Sequence, residues 1–246
     1  MKLFNQKNSE NEWLPISDLM SVLMMVFIII SLFYMLQVKK DKNQIKKDKD
    51  QIEEIAVTFD KLQKGLYKDL EKEFKNDLED WNAEIDSSKL SIRFLVPEDT
   101  NLGTPKIFFN PGSANITVYG KSILEDFFPR FKRIIYSETY KNSIEEIRIE
   151  GHTSSDWVGE TSNNAYYRNM KLSQDRTRNV LRFTLESVSD KKEKAWLREY
   201  LSSNGLSSSK LILDSLGKEN FIASRRVEFR VKTKAEDAIL KIVNSK

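Results

Sequence analysis

The stretch from Leu19 to Leu36 carries no charge, and only Ser21, Ser31 and Tyr34 interrupt its apolar side chains. That is about 18 residues, the lower end of what crosses a hydrocarbon core as a helix. Counted from Pro15 to Val38 at ~1.5 Å per residue, the segment reaches about 36 Å, enough to span with some tilt. Pro15 suits a first helical turn, where its missing N–H costs nothing. Trp13 and Tyr34 stand near the two ends, where amphipathic rings favour the headgroup level. The run is too long for a signal peptide, and charge beginning at Lys39-Lys40 follows it in place of a small-residue cleavage site. A single transmembrane helix over 14–38 is expected, after a short polar tail at 1–13 on the cytoplasmic side.

Asp18 sits about one turn inside that helix. A carboxylate in lipid costs about 2.5–3.5 kcal/mol at a helix centre and less near an end. Two readings follow from position alone. Asp18 caps the first turn, where acids suit the helix dipole, or it faces protein or water and carries an ion. Ser21, one turn on, either serves the same path or is a small packing residue.

The remaining length suits one further domain. Net charge is +3 with charge spread evenly, unlike the focused basic patch of a nucleic-acid binder. Cysteine is absent and His152 is the single histidine, which excludes disulfides, thiol catalysis and Cys- or His-rich metal sites. No nucleophile–base pair or phosphate-binding loop is present, so the expectation is a chain that is not an enzyme and needs no cofactor or metal.

Residues 39–88 are rich in Lys, Asp, Glu and Gln. Ile45, Ile52, Phe59 and Leu66 step by seven, with Ile55 and Leu62 between them. This heptad-like seam fits a parallel coiled coil and hence a homodimer, or one amphipathic helix lying on its own domain. Beyond Leu66 the apolar steps become mostly four, through Leu70, Phe74, Leu78, Trp81 and Ile85, so the seam rotates onto another surface.

Residues 89–235 read as a mixed α/β domain, with a tail at 236–246. Strands are expected over 90–96, 144–150, 211–213 and 227–231, and helices over 117–137, 169–185 and 195–203, with Gly205 capping the last helix. The order predicts a βαβαβ unit with helices on one face of a small sheet, an α+β sandwich.

Five segments of this domain, in order, resemble the OmpA-like peptidoglycan-binding family: Phe108-Phe-Asn-Pro-Gly-Ser-Ala114, Ile147-Arg-Ile-Glu-Gly-His-Thr153, Asn169-x-x-Leu172-Ser173-x-x-Arg176, Gly205-Leu-Ser-Ser-Ser-Lys-Leu211 with Gly217-Lys-Glu-Asn220, and Arg225-Arg226-Val-Glu228. The resemblance implies a pocket for the free carboxylate end of a stem-peptide diaminopimelate. Asn169, Leu172 and Ser173 would shape that pocket at a helix start, Arg176 would fork onto the carboxylate, and Arg226 matches a family arginine. The family's Gly-His-Thr-Asp is here Gly151-His-Thr-Ser154, with Asp156 two residues on as a substitute acid. His152 reads as a structural turn residue.

The N-terminal wording Ile16-Ser-Asp-Leu-Met-Ser-Val-Leu-Met-Met-Val-Phe27 resembles MotB-type stator subunits, and within them the MotB-like subunits of Zorya anti-phage defence systems. That resemblance implies two copies of this chain inside a ring of five MotA-like (ZorA-like) membrane subunits. Asp18 and Ser21 would be ion-carrying, with a proton preferred over sodium, and ion passage would turn the ring against a peptidoglycan anchor. A flagellar stator and a passive OmpA-like wall anchor are the alternatives. The resemblance places the chain in the bacterial inner membrane with residues 39–246 in the periplasm. The basic residues say otherwise: Lys2 and Lys7 precede the span, whereas Lys39, Lys40, Lys42, Lys46, Lys47 and Lys49 follow it.

Overall fold

The computed structural model describes residues 13–96 and 107–234, with no side-chain description for 13–15. The tails at 1–12 and 236–246 and the interfacial placement of Trp13 lie outside the described residues. The chain divides into two compact units, 1–54 and 55–246.

In the first unit all described residues belong to helix α1, which runs from Trp13 to Phe74. Its apolar run leaves Leu19, Leu23, Phe27, Ile30 and Phe33 exposed, each by more than half. A helix exposed and apolar all round has no aqueous partner face. Among the described residues α1 is the one helix long and apolar enough to cross a membrane.

The second unit is built on a five-stranded sheet. Its strands are β1 (Ala83–Asp86), β2 (Ser91–Leu95), β3 (Ile144–His152), β4 (Leu201–Gly205) and β5 (Arg226–Thr233). They lie in the order β1-β2-β5-β3-β4, antiparallel except for the parallel pair β3–β4. Between them come helices α2 (Val118–Ile135), α3 (Ser162–Glu186), α4 (Lys191–Tyr200) and the short α5 (Phe221–Ser224).

Strand alternation gives the sheet two unlike faces. Ile92 and Phe94 on β2, Ile147 and Ile149 on β3, and Val227, Phe229 and Val231 on β5 are all buried in one apolar core. Helix α2 completes that core because Ile123, Leu124, Phe127, Phe128 and Phe131 recur at helical spacing on its buried face. Phe127 is central: its ring centroid lies 5.0 Å from those of Phe94 and Phe229, 5.1 Å from Phe131 and 5.2 Å from Phe74. The last turns of α1 belong to the same core through Leu66, Leu70 and Phe74; Leu70 and Phe74 follow the change of spacing, whereas Leu66, expected in the heptad seam, is buried in this core instead. Arg130 ties that end of α1 down. Its Nε donates to Glu73 at 2.8 Å and its Nη2 to Asp77 at 2.7 Å, and its guanidinium stacks 4.9 Å from the Phe74 ring centroid.

Four expectations are corrected. The helix of the 39–88 stretch ends at Phe74, and β1 lies inside that stretch, paired with β2. Residues 201–205 form β4 rather than the end of a helix, so Gly205 is a strand residue and not a C-cap. Residues 211–213 make one isolated bridge, Leu213 with Glu219, and no strand. Helix α3 begins at Ser162, seven residues before Asn169, because the Thr161 side chain caps it by accepting from the Asn164 N–H.

Candidate functional site

Helix α3 carries most of the residues expected to bind ligand, and two glycines decide where it sits. Gly151 on β3 and Gly205 on β4 are register partners beneath it. A Cβ on Gly205 would lie 2.2 Å from the Gln174 backbone nitrogen, and one on Gly151 would lie 2.6 Å from the Thr177 methyl carbon. Only glycine at both positions allows α3 this close to the sheet. The helix then passes the 110–113 turn, closed by Ser113 N–H to the Asn110 carbonyl at 3.0 Å. Gly112 supplies the positive φ of 67° that this turn requires.

Arg176 reads the turn. Its Nε donates to the Ser113 carbonyl at 2.8 Å and its Nη2 to the Asn110 carbonyl at 3.0 Å, and its guanidinium lies 4.9 Å from the Phe109 ring centroid. No carboxylate lies within 4.0 Å of it among the described residues. Burial, helped by the nearby charge of Arg225, lowers its pKa to about 10. Arg176 is therefore an oriented, poorly hydrated cation.

The guanidinium faces a cavity of about 490 Å³, walled by apolar groups such as Phe109, Trp157, Val158 and Leu172. Its polar lining includes Thr153, Ser154, Asp156, Asn169, Arg176 and Arg225. Asn169 is buried and donates to the carbonyls of Ser154 at 3.0 Å and Asp156 at 3.1 Å, so it holds the 153–157 loop. Glu219 holds the same loop from the other side by accepting from the Ser155 N–H at 2.9 Å and from its hydroxyl. Asp156 accepts from the Ser154 hydroxyl and pairs with Arg225 at 3.3 Å. Burial pushes the Asp156 carboxyl up, but Ser154 and Arg225 outweigh it and hold the pKa below the usual carboxylate value. The Thr153 hydroxyl is buried with no hydrogen-bond partner among the described residues.

The expected residues thus divide. Asn169, Leu172, Arg176 and Asp156 line one cavity. Ser173 lies beneath it: its hydroxyl accepts from the Ser207 N–H at 3.1 Å. Since α3 starts at Ser162, these residues stand in the helix interior, so its free N–H groups do not face the cavity. Arg226 is buried elsewhere, whereas its neighbour Arg225 lines the cavity. Residues 225–226 flank the start of β5, and strand alternation sends them to opposite sides. The sequence signal for Arg225 was the Arg-Arg pair itself. Glu219 carried none, because its role depends on a loop brought alongside it by the fold.

Arg226 belongs to a charged ladder on the sheet face opposite the apolar core. Glu150 and Glu228 are register partners, as are His152 and Arg226. The ligand atoms of Glu150, His152 and Glu228 lie within 4.8 Å of one another, as in a metal site. However, Arg226 Nε donates to Glu228 at 2.5 Å and Arg93 Nε stands 3.4 Å from the same carboxylate. Two guanidinium groups already neutralise Glu228, so the donor set fits an internal ion network better than a metal. His152 is the last residue of β3, not a turn residue; burial pushes its imidazole pKa down despite Glu150 and Glu228 nearby.

In the first unit Asp18 lies in the exposed apolar stretch of α1. The Ser21 hydroxyl donates to the Ser17 carbonyl one turn back at 2.9 Å, and not to Asp18.

No protein-family model matches the chain. Over 244 residues it is 41% identical to the Zorya protein ZorB of Escherichia coli (strain Crooks), covering 98% of this chain and 97% of that protein. Among solved structures, a MotB-like protein from Desulfovibrio vulgaris is similar at 21% identity, with 74% of this chain and 94% of that one covered and a TM-score of 0.47. The periplasmic domain of Helicobacter pylori MotB is similar at 16% identity, with 66% and 89% covered and a TM-score of 0.40.

Proposed function

Because the chain belongs to the ZorB family, we propose that it is the stator-like subunit of an ion-driven membrane complex in Zorya anti-phage defence. In this reading the 14–38 segment of α1 crosses the inner membrane and residues 39–246 lie in the periplasm. Two copies, paired along the 45–62 seam, stand inside five MotA-like (ZorA-like) subunits. The second unit holds the pair to peptidoglycan through the cavity at Arg176, Asn169, Leu172 and Asp156, with Ser173 beneath it and Arg226 apart from it in the charged ladder of the sheet.

One observation carries the proposal: Asp18 is the single ionisable acid between Trp13 and Val38, at the head of a stretch whose apolar side chains are exposed. Packed against partner helices, a carboxylate there loses hydration, and desolvation favours its neutral form. A proton taken from the outer side neutralises it, and release inward restores the charge. The two states prefer different contacts with the ring, so each cycle biases its rotation. Each charge crossing supplies ~2.3 kcal/mol per 100 mV. Ser21, already bonded to the Ser17 carbonyl, lines the same face one turn on.

The test is Asp18→Asn in the complete defence locus. Protection against phage is expected to fall to the level of a strain lacking the locus, with the subunit still present in the membrane at normal abundance. Full protection by this variant would leave only a passive wall anchor. Independently, Arg176→Ala should reduce co-sedimentation of the full-length chain with purified sacculi by about tenfold, the loss expected for one charge-assisted carboxylate contact.

A further inference from the structure

The charges around the cavity do not match an amino-acid zwitterion. Three of its described lining side chains are charged: Arg176, Arg225 and Asp156. Arg225 and Asp156 are paired with each other, and Asp156 also accepts from Ser154. Arg176 has two N–H groups fixed on backbone carbonyls and no carboxylate within ion-pair distance among the described residues. Among the described lining residues one positive charge is therefore uncompensated, backed by aromatic and aliphatic walls that hydrate it poorly. A monoanion would neutralise it. A zwitterion would leave the charge in place and set its own ammonium beside an acid already satisfied by a guanidinium and a hydroxyl.

We propose that this cavity selects a terminal carboxylate without requiring an ammonium beside it, so that its ligands extend to peptide and dicarboxylic-acid ends whose neighbouring group is apolar. This rests on the reading of residues 55–246 as a wall-binding unit. Ser154 stands where an acid free to meet an ammonium would otherwise be, and the acid two residues on is turned to Arg225. Asn169 and Glu219 hold the loop in that arrangement from both sides.

Calorimetric titration of the detergent-solubilised full-length chain tests it with a matched pair, meso-diaminopimelate and 2-aminopimelate. The second replaces one zwitterionic end by a bare carboxylate. We expect 2-aminopimelate to bind at least as tightly as diaminopimelate, and amidation of its bare carboxylate to weaken binding by about tenfold or more. The proposal is overturned if diaminopimelate binds about tenfold more tightly than 2-aminopimelate, the mark of a direct ammonium contact. If neither compound titrates while sacculi still co-sediment, the ligand assignment falls and wall binding stands. If sacculi do not bind either, both fall.

Discussion

Replacing Gly205 by alanine probes the seat of α3 on the sheet. The added carbon would meet the Gln174 backbone nitrogen at 2.2 Å, its Cα at 2.6 Å and its Cγ at 2.6 Å. Ordinary contacts between such atoms begin near ~3.5 Å, and two of these three belong to helix backbone, which no rotamer change can move. The helix must retreat from β4 by on the order of 1 Å, a gap that forfeits roughly a quarter to a half of the dispersion energy along the contact. Overpacking of this kind costs about 1–3 kcal/mol and occasionally more; with backbone as the obstacle, about 3 kcal/mol is expected. For a chain of this size each kcal/mol lowers the melting temperature by roughly 2–4 °C, so tryptophan-detected unfolding in detergent should shift by about 6–12 °C. Gly159→Ala is the control. Its φ of 80° penalises a side chain, but nothing lies within 4 Å of the new carbon, so only about 1–2 kcal/mol is expected. Because α3 carries Asn169, Leu172 and Arg176, Gly205→Ala should also weaken sacculus binding below the melting transition. A variant melting within about 2 °C of the parent, or no lower than Gly159→Ala, would refute the packing described.

Phe127→Ala removes the ring that touches Phe74, Phe94, Phe131 and Phe229; it should cost about 3–5 kcal/mol in denaturant unfolding, and a loss below about 1 kcal/mol would place the core elsewhere. Stability should also decline in two acid limbs. His152 is held below its usual pKa in the folded domain, so between that value and ~6.5 the unfolded chain binds more protons and stability falls as pH drops. Glu228, also depressed, contributes stability that is present above the ordinary carboxylate pKa and lost as pH falls through its folded value. Melting curves of His152→Gln should lose the upper limb and keep the lower, and retention of both would exclude the imidazole as the titrating group.

Much of this architecture was legible because hydrophobic spacing carried it. The uncharged run after Asp18, the helical recurrence from Ile123 to Phe131, and the alternation of Val227, Phe229 and Val231 each announce an element whose environment matches its pattern. The misreadings share a cause, tertiary context overriding local pattern. Leu201-Ser-Ser-Asn-Gly205 reads as the end and cap of a helix, yet it forms a strand because β3 offers a parallel partner and α3 covers it. Leu211-Ile-Leu213 looks like a strand but finds no ladder, and Leu213 stays more than half exposed. Trp81 and Ile85 continue the helical spacing of α1, but the chain turns at Asn82, with φ 48°, and Ile85 pairs across to Ile92. At the cavity, Asn169, Leu172 and Arg176 share a helix face, and motif spacing located them. The choice of Arg225 over Arg226 depended on where β5 begins, and the brace from Glu219 on contacts between segments 64 residues apart.

The burial of Leu66, Leu70 and Phe74 in the domain's interior has a mechanical corollary. The helix entering the second unit is woven into the part of it that is hardest to melt, so twist or tension arriving there loads the whole sheet at once. A cut placed just after Phe74, tempting because a strand begins soon afterwards, would strip Leu66, Leu70 and Phe74 from the core and remove Glu73, leaving Asp77 as the acid that restrains Arg130 from that side. Any fragment meant to report on wall attachment by itself should therefore begin ahead of Leu62.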